Sequence, residues 1–128
     1  MKIIRGSKLQ FIPASHEDPK APGVLKKILA TKEELFSGRV QMINWAKLPL
    51  GASFRRHYHE DMEEIFLLLN GPVEVTVDGA KEKLNSGDML VVSPREVHEM
   101  KNESDTDVEY IVIGISGNKN GKTIVVEG

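Results

Sequence analysis

The chain has 128 residues, no cysteine and a formal net charge of −2. That length builds one domain around a single core, and the missing cysteines exclude disulfides, thiolate metal sites and cysteine nucleophiles. Basic and acidic residues are interspersed, with no stripe of the kind that neutralises phosphates, which argues against nucleic acid as a partner.

Met1-Lys-Ile-Ile-Arg-Gly-Ser-Lys8 is basic but has no apolar segment behind it, so no secretory leader is read there. Pro13 to Gly23 also holds Pro19 and Pro22 among charges and reads as an irregular arm. Val24 to Leu35 admits a short helix or an extended strand followed by a turn, and the extended reading is preferred. From Gly38 the pattern is strand-like. Arg39 to Ala46 alternates, Glu64 to Leu69 is a strand, and Val73-Glu-Val-Thr-Val77 alternates apolar and polar residues cleanly. Asp78-Gly79 is a type I′ hairpin signal returning through Lys81 to Leu84. Asn85-Ser-Gly87 is another turn, and Met89 to Val92, Val108 to Ser116 and Thr123 to Val126 complete the series. Short strands separated by turns, without a sustained helical period, define an all-β barrel or sandwich. The longest apolar run, Ile65 to Leu69, is far short of a membrane span, so the expectation is a cytoplasmic protein with no membrane partner.

Three of the four histidines fall in two clusters. His57 and His59 are two apart, so on a strand both imidazoles point to one face. A carboxylate and a third imidazole, His98, arriving from elsewhere would complete a shell for a divalent metal. His16, in the polar arm, is read as a surface histidine. Glu63 and Glu64 both follow at a suitable distance to be the carboxylate.

The spacing resembles the cupins. Their first motif is a glycine, five residues, His-x-His, three or four residues, a glutamate, six residues and a glycine. Gly51, His57, His59, Glu64 and Gly71 meet each spacing, and only Glu64, not Glu63, keeps six residues before Gly71. The second motif is met by Gly87, His98 and Asn102, with Ser93 and Arg95 standing where a proline and a second glycine are usual. A glycine at Arg95 would take a positive φ more cheaply. The two motifs cover Gly51 to Asn102.

The resemblance implies a small single-domain cupin over residues 1–128. It would be a double-stranded β-helix (jelly-roll) barrel over 38–128 with an irregular arm over 1–37. It also implies one divalent transition metal (Mn, Fe, Co, Ni, Cu or Zn) on His57, His59, Glu64 and His98. Arg55, if its parity with His57 holds, and Arg95, near the mouth, are candidates to receive a carboxylate or phosphate. Asn102 shares the inward parity of His98 and is a third candidate. The small cupins it resembles include mannose-6-phosphate isomerase-like and dioxygenase-like barrels. The expected function is a metal-dependent enzyme acting on an oxygen-rich small molecule such as a sugar or organic acid. The alternative is a non-catalytic module that binds or senses such a ligand, and no general base is assigned. A homodimer is expected from the edges that a short barrel must cover.

Overall fold

Alternation is the rule that builds this chain. In the computed structural model, which describes residues 1–117 and 122–127, nearly every element is a strand. They are β1 (Ile12–Pro13), β2 (Leu25–Thr31), β3 (Val40–Leu48), β4 (His57–His59), β5 (Met62–Leu68) and β6 (Val73–Val77). β7 (Ala80–Leu84), β8 (Met89–Val92), β9 (His98–Lys101), β10 (Val108–Ser116) and β11 (Thr123–Val125) follow. Along β10 every second residue is buried, and along β5 Met62, Glu64, Phe66 and Leu68 face inward. This period of two commits one face of each strand to the core. Among the described residues no helix is long and apolar enough to cross a membrane.

The strands form two antiparallel sheets of a jelly roll, in the orders β1-β2-β3-β10-β5-β8 and β11-β4-β9-β6-β7. Their facing surfaces enclose Leu48, Phe54, Phe66, Leu68, Val73, Val92, Met100, Val108 and Tyr110, all at most 4% exposed. The stretch Val24 to Leu35 is extended, as preferred from its sequence. β2 pairs with β3 inside the larger sheet, and a 3-10 turn over Lys32–Glu34 closes it. Residues 1–37 therefore hold two strands besides their irregular chain.

Two turns answer directly to residue type. Val77 pairs with Ala80 across Asp78 and Gly79, whose φ values of 47° and 84° are the pair of positive angles that a type I′ hairpin requires. Before His98, Arg95 takes φ 70°. It occupies the conformation for which a glycine is usual, held by its N–H donating to His59 O at 2.7 Å.

Register positions the inner surface. Cross-strand partners share a face, so Lys26, Ala46, Tyr110 and Leu68 form one inner row. Met42, Gly114 and Glu64 form another. A Cβ at Gly114 would stand 2.6 Å from Met62 Sδ and 3.0 Å from Met42 Cε, so the bare backbone makes room for both thioethers.

Candidate metal centre

β4 and β9 are neighbours, and His57 pairs with His98 across them. His59 lies on the same face of β4, and Glu64 faces them from β5 in the opposite sheet. One donor atom from each of these four residues lies within 4.8 Å of the others, and all four side chains are buried. The parity of β5 turns Glu64 inward and leaves Glu63 half-buried on the other face. Glu64, not Glu63, is the carboxylate of the cluster.

Each imidazole is oriented from behind. His57 Nδ1 donates to Arg55 O at 2.6 Å, and His98 Nδ1 donates to Glu96 O at 2.9 Å. A carbonyl can only accept, so these two rings carry their proton on Nδ1 and turn Nε2 inward. His59 Nδ1 meets Thr123 Oγ1 at 2.9 Å. Phe54 packs edge-on against His57 and His98, walling the cluster with apolar surface.

The inner side of the cluster tests whether a cation fits. Glu64 Oε1 stands 2.8 Å from His59 Nε2 and 3.0 Å from His98 Nε2. Neutral His98, with its proton on Nδ1, would set a lone pair against a carboxylate oxygen. A positive charge between them removes that conflict, and a divalent ion does so for all the imidazoles together. Burial acts to raise the Glu64 pKa, but His59 and His98, which donate to it and carry charge when protonated, outweigh that and hold the carboxyl below its ordinary range. Burial lowers the His57 pKa from 6.5 to about 3, with His16 and His98 adding to the fall. A carboxylate and a neutral imidazole are the forms a metal needs as ligands. The donor set therefore fits a divalent transition metal, held by His57, His59, Glu64 and His98. Such an ion would supply Lewis acidity toward a bound carbonyl, carboxylate or hydroxyl group.

A cavity of about 210 Å³ opens beside the cluster. Phe54, Phe66, Val112, Met42 and Met62 line it together with Lys26, Gln41, Asn44, Tyr110 and Thr123. Burial, with the charges of Glu64 and Glu17, pushes the Tyr110 hydroxyl well above its ordinary pKa, which keeps it a neutral hydrogen-bonding group.

The structure corrects the reading of His16. Its ring lines the cavity and stacks on His57, with centroids 4.2 Å apart and planes at 24°. Its Nε2 is 3.3 Å from Glu17 Oε2, outside hydrogen-bonding geometry. Glu17 explains the placement: its buried carboxylate accepts the N–H of Gly23 and, at 2.8 Å, that of Arg55. These bonds clamp the arm to the chain leading into β4. Gly23 is part of the clamp, since a Cβ there would lie 1.9 Å from Ser53 O.

The three residues expected to receive a substrate are placed outside the cavity lining. Arg55 is exposed and its guanidinium stands 3.4 Å from Glu127 Oε1, because the Glu17 clamp lies behind its backbone. Arg95 is exposed on its turn. Asn102 is fully buried, but its amide donates to Leu48 O and Thr106 O and accepts from Ser104, so it ties loops together. Lys26 was missed although its extended parity matches the buried Val24. Nothing local marks His16.

Fold and donor set together define a jelly-roll protein with a buried histidine–carboxylate cluster that fits a metal ion. The family model for the cupin domain matches residues 44–114, and the chain belongs to the cupin family. It is 27% identical over 81 residues to an oxalate-binding protein of Thermotoga maritima, covering 63% of this chain and 67% of that one. The crystal structure of a predicted oxalate decarboxylase from Thermotoga maritima superposes with a TM-score of 0.79 at 26% identity, over 90% of this chain and 99% of that one. A sugar phosphate isomerase of the cupin superfamily from Silicibacter pomeroyi shares the fold, with a TM-score of 0.71 at 17% identity over 89% and 75% of the two chains.

Proposed function

We propose that this cupin is a metal-dependent enzyme that binds a small oxygen-rich organic acid on its ion, within the isomerase-like or dioxygenase-like reactions open to such a centre. One observation carries the reading: four buried donors converge at the side of a cavity that mixes apolar walls with Lys26, Gln41, Asn44 and Tyr110. Apolar walls with a few placed polar groups are the usual lining of a small-molecule site. The similarity to an oxalate-binding protein supports an acid as the ligand. His57, His59, Glu64 and His98 hold the ion, and Phe54 and Phe66 keep bulk water from its inner side.

A second reading is a binding module in which no bond changes. It is favoured by the cavity lining, where Glu64 is the only carboxylate among the described residues. Incubating metal-loaded protein with oxalate and with sugar acids, and analysing products by mass, separates the two. Turnover lost in Glu64→Ala supports the enzyme. Saturable binding without product supports the module, and neither binding nor product removes both.

We also propose that a second copy covers the outer face of the larger sheet. Register lines up Trp45, Ile111, Leu67 and Met89 in one outer row and Ile43, Ile113, Ile65 and Val91 in the next. Met89 is 60% exposed, Val91 44% and Leu67 40%, a continuous apolar surface of the kind that marks an interface. Light scattering on the eluting protein at micromolar concentration gives the dimer mass, and a monomer mass removes this assignment.

A further inference from the structure

Lysines of a strand normally face water, yet register sets Lys26 in the inner row with Ala46, Tyr110 and Leu68. Ala46 is small, so the lysine stem passes over it and the side chain enters the cavity lining. Its Nζ donates to Ser15 Oγ at 2.7 Å at the solvent-exposed rim, and among the described residues it forms no ion pair. Partial burial lowers the Lys26 pKa, consistent with an ammonium that has lost some of its water without gaining a counter-ion. An unpaired cation in such a place is completed by an anion from solution.

Position and charge say which anion. Lys26 stands on β2 and Glu64 on β5, three strands apart across the sheet and four residues apart along it, or about 19 Å between backbones. Both side chains line the same cavity. A divalent ion on three neutral imidazoles and the Glu64 carboxylate would leave one net positive charge at the centre, and Lys26 adds a second. No other acid lines the cavity among the described residues. The nearby Glu17 engages its two oxygens with backbone N–H groups outside that lining.

Building on the reading of the site as a metal centre for an organic acid, we propose that Lys26, steadied by Ser15, is its second anchor. The ligand class is then a small dianion, such as a short dicarboxylate, with one group on the ion and the other on the Lys26 ammonium. Lys26 sets specificity for the second charge and has no part in holding the metal.

The test is calorimetric titration of manganese-loaded protein with malonate and with acetate, on wild type, Lys26→Met and Lys26→Arg. Manganese content and thermal midpoint are measured on each sample. Loss of one charge-assisted hydrogen bond predicts that Lys26→Met weakens malonate about ten- to a hundredfold, with acetate and manganese content unchanged and Lys26→Arg retaining most of the affinity. Lys26→Met that binds malonate as tightly as wild type overturns the anchor while leaving the acid-binding metal centre standing. Wild-type protein that holds manganese yet binds neither anion overturns the acid-binding reading, and the anchor falls with it.

Discussion

Glu17→Gln probes the clamp that carries His16 to the metal centre. The carboxylate is 2% exposed and accepts two backbone N–H groups, one on each oxygen, from Gly23 and Arg55. Hydrogen bonds to a charged acceptor contribute about 1.5–3 kcal/mol each, and a buried donor left without a partner costs a similar amount. Glutamine keeps one accepting oxygen and turns an amide NH2 toward the other N–H, so one bond is lost and two donors face each other. The expected loss is about 2–3 kcal/mol for Glu17→Gln and about 3–6 kcal/mol for Glu17→Ala, out of a total stability of about 5–15 kcal/mol. In a chain this long the glutamine variant should melt about 10 °C lower. Urea denaturation gives the free energy and circular dichroism the midpoint. Gly23→Ala should release the same segment, because its Cβ would meet Ser53 O at 1.9 Å, so the double variant should lose less than the sum of the two. A Glu17→Gln midpoint within about 2 °C of wild type would refute the clamp.

Loading with manganese or nickel at a hundredfold excess over Kd should stabilise the protein by about 2.7 kcal/mol. His98→Ala should abolish that shift, and a shift retained in the variant counts against the centre. The metal-free protein should be acid-labile. The His57 pKa is about 3 in the fold against 6.5 ordinarily, so the unfolded chain binds the proton first. Stability is then full above pH 6.5 and falls as pH drops toward 3, by about 5 kcal/mol in all. Glu64, also held down, adds a loss of the same sign at lower pH, and a urea midpoint that stays flat from pH 7 to pH 4 contradicts this. Arg95→Gly should raise stability by about 0.5–1 kcal/mol, since glycine takes φ 70° without crowding a Cβ. A loss of stability on urea denaturation would show that the Arg95 side chain has a role its exposure hides.

Much of the centre was legible because its signals are local. His57 and His59 declare a shared face by parity alone, and the same parity turns Phe66 and Leu68 inward beside Glu64. Asp78-Gly79 has few conformations to choose from once flanked by alternating strands. The rest depends on partners distant in the chain. His16 reaches the cavity because Glu17 accepts the N–H of Arg55, thirty-eight positions on, and no local pattern encodes that bond. Arg55 has the parity of His57, but it precedes β4 and stands exposed beside Glu127, so the register of the strand does not extend to it. Asn102 does follow its expected inward parity, and its burial was foreseen. Its use was not, because the carbonyls of Leu48 and Thr106 that take its amide come from other loops.

The bare backbone at Gly114 has a consequence for how this barrel could change its diet. Met42 and Met62 lie against that strand and form part of the cavity wall, while Gly114 itself, paired with Glu64 across the strands, stays out of the cavity lining. A single methyl added there would drive two flexible thioethers toward the cavity and shrink it. Shortening either methionine would enlarge it. Capacity can therefore be retuned from behind the wall, one carbon at a time, without replacing any of the four donor residues.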